Sequence, residues 1–434
     1  MTLDLKQLYK ACNPSKTLNT ANPSDRKMYI DFSHVRGNNV IRELERTITV
    51  LSDNDPTCQL FTGHVGCGKS TELLRLKHKL EQQNYHVVYF ESSRDLDMAD
   101  VDITDILLAI TRQVSESLEQ AGIRLKPTYF RKLFKEMVEW LQTPIDLDVE
   151  AELSLGIGKV TAKTKESPQL RKQLRQYLEP RTSNILESIN KEFLQPAQDN
   201  LLKGEKQGLV VIVDNLDRVD NTVKPSGRKQ PEYLFVDRGE QLKGLNCHMV
   251  YTIPLVLAFS NDLGQITNRF GVEPKVLPMA PVKRRDGSQH QEGLAALRQM
   301  VLARAFPDHA EAERLEWVTE VFQHPQDLDY ICQMSGGHVR TLLSLLFRCM
   351  QNDDPPFGRQ CLETVVQRRR GELTRAIVDS EWQVLRRVVK QKSAKGEEDY
   401  RLLLRSLFVY EYQDAEGCWF DLNPILLEAM PNIQ

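Results

Sequence analysis

Several short apolar runs, each bounded by polar or turn-forming residues, alternate along the chain with longer segments of helical periodicity. CQLF over Cys58–Phe61, HVVYF over His86–Phe90, GLVVIVD over Gly208–Asp214 and CHMVYTIP over Cys247–Pro254 read as buried strands, and PKVLPMAPV as a further one. Between them, NNVIRELERTITVL places Ile41, Leu44, Ile48 and Leu51 on one helical stripe, and ELLRLKHKLEQQ repeats the pattern. Strands alternating with helices predict an α/β fold built on a parallel sheet. A long, mostly helical stretch runs from about 100 to 207. Inside it, DLDVEAELSLGIGKVTAKT alternates apolar and polar positions (Leu147, Val149, Ala151, Leu153, Leu155) around Gly156 and Gly158, which predicts an inserted β-hairpin. It reads either as an edge hairpin covering the core or as a protruding arm.

The flanks are organised differently. Residues 1 to 36 carry one short amphipathic helix and then a polar stretch, in which His34 and Arg36 read as surface residues. From Gln291 to about Asp354 the periodicity is purely helical. After DPPFG, two helical segments precede VYEYQDAEGCWFDLNPIL, two strands around a DAEG turn, an order that suggests a winged helix.

Composition narrows the class without deciding it. With 41% hydrophobic and 27% charged residues in 434, the chain has ordinary globular balance and room for two or three domains. A net charge of −3 gives no global reason to expect nucleic acid, so such contact would need a local patch. The C-terminal helices supply one in Arg368, Arg369, Arg370, Arg386, Arg387, Lys390 and Lys392, although Glu411, Asp414, Glu416 and Asp421 bring that region close to neutral. Eight cysteines without a C-x-x-C pair read as reduced thiols rather than zinc ligands. The absence of a secretory signal or an 18-residue apolar run leads us to expect a soluble, cytoplasmic protein with no membrane contact.

The chemistry is concentrated in FTGHVGCGKST. Gly63, His64, Val65, Gly66, Cys67, Gly68, Lys69 and Ser70 fit G-x-x-x-x-G-K-[ST], the loop whose backbone N–H groups cradle phosphates. Binding of ATP or GTP is expected, with Lys69 neutralising the outer phosphates, Ser70 placing its hydroxyl on Mg²⁺, and Thr71 opening a helix whose dipole favours the anion. Asp214 ends the apolar strand where open α/β sheets bind ligands, and an acid there can hold Mg²⁺ opposite Ser70. The next residue is Asn215, a poor base, so water activation passes to Asp217 or turnover is slow. Arg269 reads either as a surface ion-pairing residue or as a cation reaching a neighbouring subunit's γ-phosphate, and Arg340, after Gly336 and Gly337, as a helix-end arginine or a phosphate sensor.

In this order GHVGCGKST, VVIVDNLD, CHMVYTIP, NRFG and SGGHVR resemble AAA+ and STAND-class P-loop ATPases, with a lid and tail most similar to the origin-recognition-like and STAND branches. The resemblance implies a five-stranded parallel P-loop sheet of the ASCE type, ATP and Mg²⁺ as ligands, and assembly through nucleotide-bridged contacts. It further implies Thr252 as the first sensor, Arg340 as the second and Arg269 as the arginine finger. The expected domains are an N-terminal arm (1–36), an ATPase core (37–285) with its insertion at about 100–207, a helical lid (286–355) and a winged-helix-like domain (356–434). Expected partners are further copies of the chain and a protein client, with DNA an open alternative. A nucleotide-dependent oligomerisation switch, a DNA-loading adaptor and a non-hydrolysing ATP-bound scaffold all follow from the same motifs.

Overall fold

A computed structural model describes residues 3–53, 55–125, 127–141, 153–394 and 398–431. The chain divides into two compact units, and neither is contiguous in sequence. One comprises Met1–Ile41, Gly63–Arg75 and Val276–Gln434, and the other Arg42–Thr62 and Leu76–Lys275.

The second unit carries most of the sheet. Strands β1 (Cys58–Gly63), β2 (His86–Glu91), β3 (Leu209–Asp214), β4 (His248–Thr252) and β5 (Lys275–Leu277) form a five-stranded sheet of order β2-β3-β4-β1-β5. β2 pairs in parallel with β3, β3 with β4, and β4 with β1. Every residue of β3 and β4 is buried, as a strand covered on both faces requires, which is why LVVIVD is apolar without alternation. The expected α/β P-loop fold is present. Because the strands are parallel, the carboxyl ends of β1, β2, β3 and β4 share one sheet edge.

Helices cover the sheet and form the insertion. Helix Ile103–Gln120 buries Ile106, Leu107, Ile110 and Val114 in the same core as Val88, Val211 and Met249. Where a hairpin is expected, the described part of that stretch is helix Leu153–Glu166. Its buried residues Ile157, Val160, Thr161 and Thr164 recur at helical spacing, and the two threonines donate their hydroxyls to the carbonyls of Ile157 and Val160 one turn back. Those satisfied hydroxyls let β-branched polar residues face inward, so a period of two was the wrong reading. Leu147, Val149 and Ala151 lie outside the described residues.

Other expectations shift at their edges. Helix Val40–Thr49 buries Ile41, Leu44 and Ile48, but Leu51 lies beyond its end and is exposed. The first unit begins with two helices rather than one, Leu5–Ala11 and Pro23–Met28. The second exists because Asn22 caps it and Pro23 occupies its first position. Later in the same unit come helices Gln291–Ala305, Pro325–Ser335 and Val339–Asn352. Three helices (Arg359–Thr374, Asp379–Gln391, Glu398–Arg405) then precede strands β6 (Val409–Asp414) and β7 (Gly417–Leu422), an antiparallel hairpin, an order that fits a winged helix.

Candidate nucleotide-binding site

Five consecutive carbonyls of the phosphate loop have named donors. The Lys69 ammonium donates to Gly63 and His64 at 2.7 and 2.9 Å, His338 Nε2 to Val65 at 2.9 Å, the Arg340 backbone N–H to Gly66 at 3.1 Å, and the Arg36 guanidinium to Cys67 at 2.8 Å. In a trans peptide the C=O and the following N–H point opposite ways. Holding the Val65, Gly66 and Cys67 oxygens toward the protein therefore turns the amides of the same planes the other way, which is the polarity an anion needs. Helix Lys69–Gln82 starts from this loop with its positive dipole end.

Two glycines are required by geometry. At Gly66, with φ of 93°, a Cβ would lie 2.8 Å from Arg340 Cβ and 2.9 Å from His338 Nε2. At Gly68, with φ of 107°, a Cβ would meet nothing within 4 Å, so the backbone there borders open space. A phosphate group fits that combination of open backbone, buried Lys69 cation and adjacent Ser70 hydroxyl.

The two histidines are held neutral. A carbonyl only accepts, so His338 carries its proton on Nε2 while Nδ1 faces Thr341 Oγ1 at 2.7 Å. Burial pushes its pKa down to about 4, with Arg340 and Lys69 adding to the effect. His64 is lowered well below its ordinary range by burial, then by His338 and Lys69, and its Nε2 accepts the Glu411 N–H at 3.0 Å. Glu411, on β6, is itself buried, and desolvation raises it to about 7 against the lowering effects of Cys418 and Arg36.

The N-terminal segment is committed to this loop and its helix. Arg36 is buried and stands over the Phe32 ring, contrary to its reading as a surface residue, because a guanidinium that satisfies a loop carbonyl has to be close to it. His34 is exposed as expected. Tyr29 donates to Glu72 at 2.9 Å, Arg75 spans Tyr29, Glu72 and Asp31, and Thr71 Oγ1 accepts the Leu18 N–H at 3.3 Å. The Thr71 hydroxyl thus serves the arm in this structure.

The acidic residues belong to the sheet unit. Asp214 is buried at the end of β3. Its Oδ2 accepts the Tyr89 hydroxyl at 2.7 Å, its Oδ1 the Asn215 N–H at 2.7 Å, and its backbone carbonyl the Ser92 hydroxyl at 2.8 Å. Tyr89 is held protonated by burial and by the Asp214 charge, so it remains a donor. Asn215 adopts a left-handed conformation (φ 63°), and Asp217 sits in the 3₁₀ turn Leu216–Arg218 that follows. Thr252, fully buried at the end of β4, accepts the Leu216 N–H at 2.9 Å and donates to the Val213 carbonyl, tying that turn to the sheet. Arg269, on helix Leu263–Phe270, pairs with Glu240 at 3.2 Å.

The basic excess near the C-terminus is largely engaged within the unit. Arg369 pairs with Glu372, Arg370 with Glu428 and Lys392 with Asp421, while Arg386 donates to the Pro431 carbonyl and Arg387 lies over the Tyr400 ring. Among the described residues no group of His, Cys, Asp and Glu could hold a metal on its own, and no helix is long and apolar enough to cross a membrane. All eight cysteines are free thiols.

Residues 38–223 match the model of the KAP family P-loop domain, a span that begins before β1 and ends just after the Asp214 turn. The chain carries a P-loop NTPase domain. Among solved structures, this P-loop chain is similar to a Walker-type ATPase of Pyrococcus abyssi, at 11% identity and a TM-score of 0.44, covering 97% of this chain and 99% of that one. It is similar to the ORC2 protein of Aeropyrum pernix at 13% identity and a TM-score of 0.40, with 88% and 89% covered. A third is Cdc6p from Pyrobaculum aerophilum, at 11% identity, a TM-score of 0.39, and 97% and 96% covered. No curated protein matches the chain.

Arg36, His338 and the His64–Glu411 contact were not identified as parts of the site from sequence. For His338 a signal existed, since it directly precedes the helix carrying Arg340. For Glu411, 347 positions from its partner, none did.

Proposed function

We propose that the protein is an ATP-binding, slowly hydrolysing switch of the AAA+ and STAND kind, whose nucleotide state governs its self-association. The observation that carries this is the set of donors on the carbonyls from Gly63 to Cys67, drawn from the loop's own lysine, the N-terminal segment and the helix start at His338 and Arg340. A loop with so many independent supports is preorganised, and its binding would be felt by each of the segments that hold it. Lys69 would meet the β- and γ-phosphates. Ser70 and Asp214 would hold Mg²⁺, which supplies neutralisation of the phosphate charge.

In this reading Thr252 keeps the turn after Asp214 in register, Asp217 is its second acid, Arg340 senses the phosphate from the loop side, and Arg269 exchanges Glu240 for a neighbour's nucleotide. Slow turnover follows from Asn215, which supplies no base beside Asp214. The internal pairing of Arg369, Arg370 and Lys392 favours protein packing over DNA as the use of the C-terminal hairpin unit.

The test is molecular mass in solution, with and without ATP and Mg²⁺, alongside ATP affinity and phosphate release, for the wild type and Lys69→Ala. The expected result is an ATP-dependent mass increase, abolished with binding in the variant. Wild-type affinity in Lys69→Ala, or a mass indifferent to ATP in both, defeats the proposal. Bound ATP with no phosphate release would make it a scaffold instead.

A further inference from the structure

We infer that a cavity in the first unit, between its N-terminal segment and the β6–β7 hairpin, binds a small organic phosphate monoester, and that a ligand there tightens the phosphate loop on ATP. The site itself does not depend on the ATPase reading, whereas its effect on ATP rests on it.

Three stretches of this one unit enclose about 650 Å³, ample for a small molecule. They come from residues 34–37, from the loop 281–290 that leads into helix Gln291–Ala305, and from residues 413–419 around the turn between β6 and β7. The walls are fixed. Trp419 is buried and stacks on Tyr412 with ring centroids 4.6 Å apart, and Tyr412 donates its hydroxyl to the Gly336 carbonyl at 2.8 Å. At Gly37, with φ of 76°, a Cβ would lie 2.8 Å from the Gln413 carbonyl oxygen, so the close approach of the segment to β6 requires glycine. Trp419, Val35 and Pro281 supply the apolar part of the lining.

Charge decides the ligand class. Asp414 accepts two bonds from the Arg285 guanidinium at 3.0 and 2.8 Å, Glu416 lies 3.7 Å from the same group, and Asp286 accepts the Ser288 N–H and hydroxyl at 2.8 and 2.6 Å. The acids of the cavity therefore already have donors. Its other cations are not used up. Among the described residues the side chains of Lys283 and Arg284 form no ion pair, and Arg284 adds only a weaker attraction to Asp286 after Ser288. His290 Nδ1 accepts the Gly293 N–H at 3.0 Å, which leaves its proton on Nε2. Burial and then Arg284 lower its pKa, so the ring stays neutral and offers that N–H. An ammonium, a guanidinium and an imidazole N–H without a free carboxylate suit a phosphate dianion, which takes several donors at once. The apolar lining calls for an organic body on that phosphate.

The cavity shares its walls with the supports of the phosphate loop. Arg36, between the lining residues Val35 and Gly37, donates to the Cys67 carbonyl at 2.8 Å, and Glu411, two positions before Gln413 on β6, donates its N–H to His64 at 3.0 Å. A ligand that joins the N-terminal segment, the 281–290 loop and the hairpin restrains both supports. Less ordering is then left for the nucleotide to bring about.

Calorimetry on the full-length chain uses phenyl phosphate as the probe, with phenylacetate and inorganic phosphate for comparison, in Lys69→Ala so that the phosphate loop does not contribute. We expect phenyl phosphate to bind with a Kd of about 1 mM or tighter, and Lys283→Ala/Arg284→Ala to weaken it at least about tenfold. Lys283→Arg/Arg284→Lys, which keeps both charges, should recover most of that affinity. If the alanine pair does not fold, Arg284→Ala at its exposed position decides, with a loss of at least about threefold. Binding that survives these alanine variants, no binding up to about 10 mM, or equal affinity for phenylacetate or inorganic phosphate overturns the assignment. With Lys69 intact, saturating phenyl phosphate should raise ATP affinity about threefold in the wild type and leave it unchanged in the alanine pair. An ATP affinity that stays or falls in the wild type overturns the relay to the loop. Should Lys69→Ala bind ATP normally, the ATPase reading fails, while the phosphate site still stands or falls on Lys283 and Arg284.

Discussion

His338 Nε2 stands 2.9 Å from the carbonyl of Val65, and the same ring keeps Nδ1 at 2.7 Å from the Thr341 hydroxyl. One imidazole therefore joins the phosphate loop to the first turn of helix Val339–Asn352, whose Arg340 N–H takes the next loop carbonyl. Removing the ring leaves a carbonyl without its donor, at a cost of about 1–3 kcal/mol. We expect His338→Ala to lose about that much stability in a denaturant titration and about tenfold in ATP affinity by calorimetry. His338→Gln, which keeps an N–H donor, should retain most of both. Equal losses in the two variants would mean that the ring packs rather than donates.

Two buried groups in the same unit titrate against each other. His338, at about 4 when folded against an ordinary 6.5, makes the unfolded chain the better proton binder in that window, so its contribution to stability is lost as pH falls from 6.5 toward 4. Glu411, at about 7 against an ordinary 4.5, makes the folded chain the better binder, so its contribution is lost as pH rises from 4.5 to 7. Between pH 4.5 and 6.5 the two slopes oppose. Relative to wild type, Glu411→Gln should gain stability with rising pH by up to about 1.4 kcal/mol per unit there, and His338→Gln should lose it by a similar amount. Parallel pH–stability curves for wild type and both variants would contradict the two assignments.

The sheet and the phosphate loop were legible because their signals are local. A continuous apolar run such as LVVIVD has few alternatives to a strand buried on both faces, and GHVGCGKS fixes its own backbone through its glycines. The supports of the loop were not legible. Arg36 reads as a surface arginine because nothing near it in sequence tells of the Cys67 carbonyl it meets, and Glu411 reaches His64 through a backbone N–H, which carries no residue-type signal. The insertion misled for a different reason. Leu153 and Leu155 continue the every-second-position apolar pattern of Leu147, Val149 and Ala151, and the satisfied hydroxyls of Thr161 and Thr164 allow a helix to bury positions that a hydropathy pattern assigns to solvent.

Gly66 offers a sharper test of the loop than the lysine does. A methyl group there lies against Arg340 Cβ and the His338 ring, and φ of 93° is a conformation that alanine adopts only with strain. Gly66→Ala should lower ATP affinity at least tenfold, with the denaturation midpoint falling by an amount equivalent to about 1–3 kcal/mol. Unchanged affinity would show that the Arg340 and His338 contacts yield without consequence.

Arg171 tests whether the insertion matters to the residues after β2. It is almost fully buried, pairs with Asp97 at 2.6 Å, and donates to the carbonyls of Thr164 and Lys165 at 3.1 and 3.0 Å, so one guanidinium joins the end of helix Leu153–Glu166 to the segment that follows Glu91. Arg175 beside it bridges Asp100 and Asp105. Arg171→Met keeps the apolar stem but strands two carbonyls and leaves the partly exposed Asp97 carboxylate unpaired, a change that costs about 1–3 kcal/mol. Because Lys165 in turn holds the Ser93 and Arg94 carbonyls, the damage should extend to the segment after β2, whose Ser92 hydroxyl supports the Asp214 carbonyl. We therefore expect Arg171→Met to lower the denaturation midpoint and, at temperatures where it stays folded, to reduce phosphate release about tenfold while ATP affinity stays within about threefold of wild type. A stability loss with wild-type turnover would confine Arg171 to the packing of the insertion.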